Sequence, residues 1–148
     1  MDPLSITASI VAVLQLTSTL IEYTSSVKDA SKDRAQCANE ALNLYNLLFR
    51  LSTRLEQASS NERWYAAVRD LAVKDGPFDQ YKYALELLLP KVASASGIKN
   101  IGNALLWKFS KEEVTNILLR IERLKTLVQI ALEMDHLSVS LPEIADKD

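Results

Sequence analysis

Two segments of the chain alternate apolar and polar positions with the period of an α-helix. In the first, over about residues 31–58, apolar residues recur at intervals of four and three: Cys37, Ala41, Leu44, Leu48, Leu51 and Leu55. The second segment shows the same spacing after residue 110: Val114, Ile117, Ile121, Leu124, Val128 and Ala131. This spacing collects the apolar side chains on one helical face, so both segments are predicted as amphipathic helices.

The later of these helices has a clear start signal, because Ser110 and Glu113 have the spacing of a capping box. Its C-terminal half is apolar almost all round, through Leu127, Ile130, Leu132 and Met134. A helix of that kind is expected to run through the centre of a bundle. The pattern stops after His136. We therefore predict a domain over residues 1–136 and an acidic tail or linker over 137–148.

The N-terminal segment, residues 3–24, is predicted as a third long helix with a different character. No charged residue occurs in the 19 residues from Pro3 to Ile21. Asp2 is placed to cap the helix and Pro3 suits its first position. Further apolar residues widen one row at helical spacing to most of the circumference, and the row consists of Ile6, Ile10, Val13, Thr17 and Leu20. We therefore expect the helix to be largely buried. The lack of a basic start argues against a signal peptide, and its hydroxyl and amide side chains argue against a constitutive membrane span.

The middle of the chain is predicted to form shorter helices. One should run from an Asn61 cap to about residue 74, where Gly76 and Pro77 follow. Another should run over about 78–93, with a kink or an early end at Pro90, a turn at 94–97, and a weak helix over 98–108. Because the connections are short, sequential helices are expected to be antiparallel neighbours. The predicted fold is all-α: an antiparallel bundle of four main helices plus one or two short ones.

Composition agrees with one folded domain and narrows the class of function. The chain has 148 residues, of which 48% are hydrophobic and 24% charged, with a net charge of −2. No block is strongly basic, so a nucleic-acid partner is not expected. The single cysteine, Cys37, cannot form an internal disulfide, which fits a cytoplasmic setting.

The residues that carry nucleophilic or metal chemistry are few. His136 and Cys37 are the only histidine and cysteine, and they lie in different predicted helices. A Cys–His nucleophilic pair is conceivable. The competing interpretation is a buried structural cysteine and a helix-terminal histidine that interacts with the helix dipole. A zinc site needs about four clustered ligands. We therefore expect no enzyme activity, no metal and no cofactor.

Basic residues cluster near the last helix and have two interpretations. The members are Lys108, Lys111, Arg120, Arg123 and Lys125. They are candidate contacts for anionic lipid head groups. Because Glu112, Glu113 and Glu122 are interleaved with them, an ordinary solvated face is the alternative.

Several blocks together resemble a known family. The opening MDPLSITASIVAVLQLT is followed by QCANEALNLYNLLFRL, GPFDQYKYALE and ALLWKFSKEEVTNILLRIERLKTLVQIALEMD. In this order the blocks resemble the HeLo-like N-terminal domain of fungal STAND (NLR-type) proteins, over nearly all of residues 1–136. Related domains include the HeLo cell-death domains and the four-helix bundle of the mixed-lineage kinase-like executioner of necroptosis.

The resemblance implies a helical bundle that precedes a nucleotide-binding oligomerisation domain and a repeat sensor. It also implies a role in fungal programmed cell death, heterokaryon incompatibility and innate immunity. The domain would rest in the cytoplasm, form homo-oligomers on activation and move to the plasma membrane, where its N-terminal helix targets or permeabilises the bilayer. That role would fall on seven apolar residues: Leu4, Ile6, Ile10, Val11, Val13, Leu14 and Leu16.

A second interpretation does without a membrane. The domain would then be a homotypic interaction module that clusters or recruits other proteins. This module would self-associate in solution and cause no leakage from liposomes.

The uncharged N-terminal helix also has two interpretations. Insertion into lipid avoids about 2.5–3.5 kcal/mol for each charged residue that is absent from the centre of a span. The alternative is a buried core helix that happens to lie at the terminus.

Overall fold

The computed structural model describes residues 3–26, 31–57, 63–99 and 109–140, and these residues form five helices with no strand among them. The helices are α1 (Pro3–Ser26), α2 (Lys32–Glu56), α3 (Arg63–Leu71), α4 (Pro77–Lys99) and α5 (Lys111–Ser140). The all-α prediction is confirmed. The expected cap at Asn61 and most of the expected helix over 98–108 lie outside the described residues.

Helices α2 and α5 start where the sequence predicts. Ser31 caps α2, since its hydroxyl accepts a hydrogen bond from the backbone N–H of Arg34 at 3.2 Å. At α5, the backbone N–H of Ser110 donates to the Glu113 carboxylate at 2.8 Å, and the N–H of Glu113 donates to the Ser110 hydroxyl at 3.1 Å. The capping box is therefore confirmed.

The boundaries of the middle helices differ from the prediction. Helix α3 ends at Leu71 rather than near residue 74, because the chain needs residues 72–76 to turn, with Asp75 at a φ of 60°. A side chain at Gly76 would lie 2.9 Å from the Val73 carbonyl oxygen, so the turn requires glycine there. Helix α4 starts at Pro77 and continues through Pro90 to Lys99. Of the two outcomes expected at Pro90, a kink or an early end, the early end is wrong, and so is the turn at 94–97, because an internal proline removes one backbone hydrogen bond without preventing continuation.

Contacts made by side chains show in which direction each helix runs relative to its neighbours. Arg34 at the start of α2 donates to the Thr24 carbonyl at the end of α1 at 3.0 Å, so α1 and α2 are antiparallel. Arg123 of α5 donates to Gln80 of α4 at 3.3 Å, and α4 and α5 are also antiparallel. Helices α2 and α5 run parallel, because Glu40 pairs with Lys125 and Arg54 with Asp135.

The neighbours of each helix define the bundle. Helix α1 packs mainly on α2 and α4, whereas α5 packs on α2, α4 and α3. Helices α1 and α5 therefore occupy opposite corners, and their buried rows meet in one core. All six residues of each predicted row on α2 and α5 are buried.

Two expectations about burial are wrong. The C-terminal half of α5 is not central, because Ile130 is 48% exposed and Leu127, Leu132 and Met134 are only half-buried. Helix α1 is not largely buried, because 28% of its most apolar stretch is buried. Both helices lie at corners, where a helix can bury only the face that points toward its neighbours.

Candidate functional site

Helix α1 buries a single row of side chains. The row consists of Ile6, Ile10, Val13, Thr17 and Leu20 and continues in the last turns with Tyr23 and Thr24, each less than 4% exposed. Of the seven residues proposed to enter a membrane, Ile6, Ile10 and Val13 therefore face the core. Leu14 and Leu16 are half-buried, Val11 is 41% exposed, and the side chain of Leu4 lies outside the described residues.

The opposite face of α1 is exposed and carries no charge until Glu22. It consists of Ser5, Ala8, Val11, Gln15 and Ser18, spaced three or four residues apart. Within the described part of the chain, α1 is the one helix that is long and apolar enough to cross a membrane, a property that core helices of soluble proteins share.

Four hydroxyl groups of α1 are satisfied within the helix. Ser9, Thr17, Thr19 and Thr24 donate hydrogen bonds to backbone carbonyl oxygens three or four residues earlier, at 2.7–3.1 Å. A hydroxyl that bonds to its own helix needs no partner from water or from a neighbouring helix. These four hydroxyls are therefore compatible with an apolar environment.

Polar contacts also hold α1 in the bundle. The Thr17 and Tyr81 hydroxyl oxygens lie 2.8 Å apart in the core, which links α1 to α4. Burial raises the pKa of the Tyr81 phenol well above its ordinary value, so the group stays protonated. Arg34 on α2 donates to the last-turn carbonyl of Thr24. Both contacts must break if α1 leaves the bundle.

The basic residues near α5 do not form one patch. Lys125 points toward α2, where its ammonium lies 2.8 Å from Glu40 and 3.7 Å from Glu122. Arg120 and Arg123 lie on the α4 side, and Lys111 is exposed at the start of α5. Lys108 lies outside the described residues. The structure thus brings together Arg120 and Arg123 and separates them from Lys125.

A second exposed surface, around the N-terminal half of α5, was not predicted from the sequence. Leu87 on α4 is 79% exposed and Leu119 on α5 is 66% exposed, more than any other large apolar side chain among the described residues. A groove of about 280 Å³ lies between α4 and α5, and another of about 290 Å³ lies between α2 and α5 beside Leu119. Leu87 could not be distinguished from a core residue in the sequence, because Leu85, Leu88 and Leu89 beside it are also leucines.

The candidate nucleophile is shielded. Cys37 is fully buried, and burial, with a smaller contribution from the Asp33 carboxylate, raises the pKa of its thiol to about 12. The thiolate is the reactive form, so this environment disfavours nucleophilic chemistry. The His136 side chain lies outside the described residues. Among the side chains that the structure describes, no three His, Cys, Asp or Glu residues are grouped as metal ligands.

Comparison of the chain with protein families, with curated proteins and with solved structures finds no match.

Proposed function

We propose that this chain is the N-terminal effector domain of a fungal NLR-type protein of the HeLo-like kind, which induces programmed cell death. In this proposal, oligomerisation imposed by downstream nucleotide-binding and repeat domains directs α1 from the cytoplasmic bundle to the plasma membrane. Helix α1 then enters the bilayer, with anionic lipids and other copies of the chain as partners. The mechanism involves no catalytic step.

The observation that carries the proposal is the uncharged, half-exposed α1. Its exposed face presents Ala8, Val11, Gln15 and Ser18 to solvent, and no charge interrupts the helix from Pro3 to Ile21. A charged residue near the middle of a span costs about 2.5–3.5 kcal/mol on insertion. Four hydroxyls of α1, those of Ser9, Thr17, Thr19 and Thr24, already donate to their own helix, which lowers the cost of transferring them into lipid.

Release of α1 into water is unfavourable. In the resting state α1 therefore stays in the bundle. Ile6, Ile10, Val13 and Leu20 are buried in the core. Exposing four such side chains costs about 6–12 kcal/mol, at about 1.5–3 kcal/mol each. That cost is comparable to the whole stability of a typical domain, about 5–15 kcal/mol. The helix would therefore leave only where lipid or neighbouring copies bury the same side chains again.

Dye release from vesicles tests this mechanism. Vesicles of phosphatidylcholine and phosphatidylserine would be mixed with the chain alone and with the chain fused at its C-terminus to a trimeric coiled coil. We expect release with the trimeric fusion and little release with the free chain, because clustering supplies the trigger that the free chain lacks.

Matched lysine substitutions assign any release to α1. Val11→Lys changes an exposed residue near the middle of α1, and Asn46→Lys changes an exposed residue in the middle of α2. Neither should unfold the bundle, which circular dichroism would verify. We expect Val11→Lys to abolish release by the trimer and Asn46→Lys to preserve it. If a folded Val11→Lys trimer releases dye as fast as the unsubstituted trimer, the assignment to α1 is wrong.

The alternative is a homotypic interaction module with no membrane activity. The observation that favours it is the exposure of Leu87 and Leu119 beside two open grooves, on the opposite side of the bundle from α1. This alternative predicts self-association in solution and no dye release from any vesicle composition, even when the chain is clustered by a fused coiled coil.

A further inference from the structure

We propose that the groove between α4 and α5 binds a free fatty acid, with the carboxylate at Arg120 and the alkyl chain over Ile117 and Leu88. The membrane mechanism of α1 does not require this site, so the inference goes beyond the proposed function. It assigns a ligand to a groove in which a cation lacks a counter-ion.

Arg120 is a half-buried cation without a partner. Its Nε atom is buried and has no hydrogen-bond partner, and among the described residues no ion pair involves its guanidinium. Arg123 lies beside it and donates to Gln80, so Arg123 adds positive charge to this region instead of neutralising Arg120. Burial of a charged donor is unfavourable unless an acceptor reaches it. An anion that enters the groove would supply that acceptor.

The surface next to Arg120 is apolar. Ile117 and Leu88 form the floor of the groove and are 1% and 6% exposed. Leu87 and Tyr83 also line the groove, and both are largely exposed. Arg120 is the one basic residue among the described residues of the lining. An open groove with an apolar floor and a single cation fits a molecule that has one anionic head and an apolar chain.

The two ends of the groove carry opposite charges. Arg120 and Glu113 are seven residues apart on α5, which is about 10 Å along the helix axis. The Glu113 carboxylate accepts a hydrogen bond from the backbone N–H of Ser110 at 2.8 Å. A ligand with one acidic group is therefore oriented with its head at Arg120 and the end of its chain toward Glu113. A second acidic group at the end of the chain would be repelled by Glu113.

The floor of the groove favours an alkyl chain over a peptide. Between Glu113 and Arg120, Asn116 is the only polar side chain that α5 contributes to the described lining. A peptide backbone would place N–H and C=O groups against Ile117 and Leu88, whose side chains cannot pair with them. An alkyl chain has no such groups and is stabilised by burial. We therefore commit to a fatty acid instead of an acidic segment of another protein.

An NMR titration of the 148-residue chain with octanoate tests the site. Octanoate would be kept below the concentration at which it forms micelles, and no vesicles would be present, so that binding assigns the site to a free acid and not to a membrane lipid. We expect saturable changes in amide chemical shift concentrated in residues 80–88 and 113–120. Absence of saturable binding to the folded chain, or shift changes concentrated elsewhere, would overturn the inference.

A pair of arginine variants tests the head-group contact. Arg120→Gln should weaken octanoate binding at least tenfold, because it removes the cation that holds the carboxylate. Arg50→Gln is the matched control, since Arg50 is an exposed arginine on α2, outside the groove, and this variant should bind as the unsubstituted chain does. Circular dichroism would verify that both variants are folded. Equal effects of the two substitutions would contradict the role of Arg120.

Analogues of octanoate test both ends of the groove on the unsubstituted chain, where no variant needs to fold. Octanol has the same chain without the charge and should bind at least tenfold more weakly. Octanedioate carries a second carboxylate that would face Glu113, and it should also bind more weakly than octanoate. Octanol that binds as tightly as octanoate would overturn the contact with Arg120, and octanedioate that does so would overturn the orientation of the chain.

The fatty-acid site and the membrane mechanism fail separately. Arg120→Gln in the trimeric fusion should release dye as the unsubstituted fusion does, because α1 is unchanged. Val11→Lys should bind octanoate normally. Loss of octanoate binding in a folded Val11→Lys chain would contradict the site, whereas absence of dye release from a chain that binds octanoate would contradict only the membrane mechanism.

Discussion

The hydroxyl oxygens of Thr17 on α1 and Tyr81 on α4 lie 2.8 Å apart in the core, where the two residues are 0% and 1% exposed. Thr17 also donates to the Val13 carbonyl oxygen at 2.7 Å. A threonine hydroxyl carries one proton. Since that proton is directed at Val13, the phenol of Tyr81 is the donor in the pair.

This direction predicts unequal effects of removing the two hydroxyls. Thr17→Val leaves the Tyr81 donor buried without an acceptor and should lower the free energy of unfolding by about 1–3 kcal/mol. Tyr81→Phe removes the donor, while Thr17 keeps its bond to Val13, and should cost about 0.5–1.5 kcal/mol. Urea denaturation followed by circular dichroism would measure both.

The double variant is the control for this pair. Once Thr17 is valine, replacing Tyr81 with phenylalanine removes the unsatisfied donor, so the double variant should be no less stable than Thr17→Val alone. Strictly additive losses would show that the two hydroxyls do not interact. In the trimeric fusion, both single variants should accelerate dye release, because the contact that they weaken holds α1 in the bundle.

Adjacent residues of α1 should differ sharply in their effect on stability. Ile10 is fully buried and Val11 is 41% exposed. Ile10→Ala leaves a cavity and should cost about 2–5 kcal/mol. Val11→Ala should change the free energy of unfolding by less than about 0.5 kcal/mol. Thermal or urea unfolding would measure the pair, and similar losses for both would contradict the orientation of α1.

The capping box of α5 gives a third prediction. Ser110→Ala removes the acceptor for the backbone N–H of Glu113 and should cost about 0.5–2 kcal/mol. Thr115→Ala is a suitable control, because Thr115 is exposed and its hydroxyl donates to the carbonyl of Lys111 in the same helix. Its effect should be smaller than about 0.5 kcal/mol. Equal losses would show that the cap contributes nothing specific.

Cys37 gives a prediction about pH. Burial raises the pKa of its thiol from 9.0 to about 12 in the folded chain. Between these values the unfolded chain has lost a proton that the folded chain keeps, so stability should fall as pH rises above about 9. Cys37→Ala should remove this part of the decline, which urea titrations at several pH values would show.

The same burial predicts slow thiol chemistry. A disulfide reagent should modify Cys37 at mildly alkaline pH only as fast as the core opens, and rapidly once urea unfolds the chain. Rapid modification of the folded chain would mean that Cys37 is accessible and its thiolate stabilised, contrary to the structure.

The periodic segments of the sequence were sufficient to predict the helices and much of the core. The rows that begin at Cys37 and Val114 are long, regular and flanked by polar residues, so one helical face was determined for each. The Ser110 and Glu113 signal fixed the start of α5, because a capping box uses only local hydrogen bonds. The buried row of α1 followed from spacing in the same way.

Other features depended on which helices are neighbours. The sequence did not decide whether α4 ends at Pro90 or continues through it. The one backbone hydrogen bond that proline removes contributes little compared with the packing of a whole helix. The exposure of Val11, Ile130, Leu87 and Leu119 was undetermined for a related reason. An apolar side chain beside a buried row is covered or exposed according to the presence of another helix at that side.

The sequence by itself determined the helices, their buried rows and the absence of charge along α1, since these depend on local spacing and composition. The tertiary structure decided that α1 and α5 occupy opposite corners, that Arg120 and Arg123 are separated from Lys125, and that Thr17 meets Tyr81. These relationships join residues far apart in the chain, and helical periodicity carries no information about which faces meet.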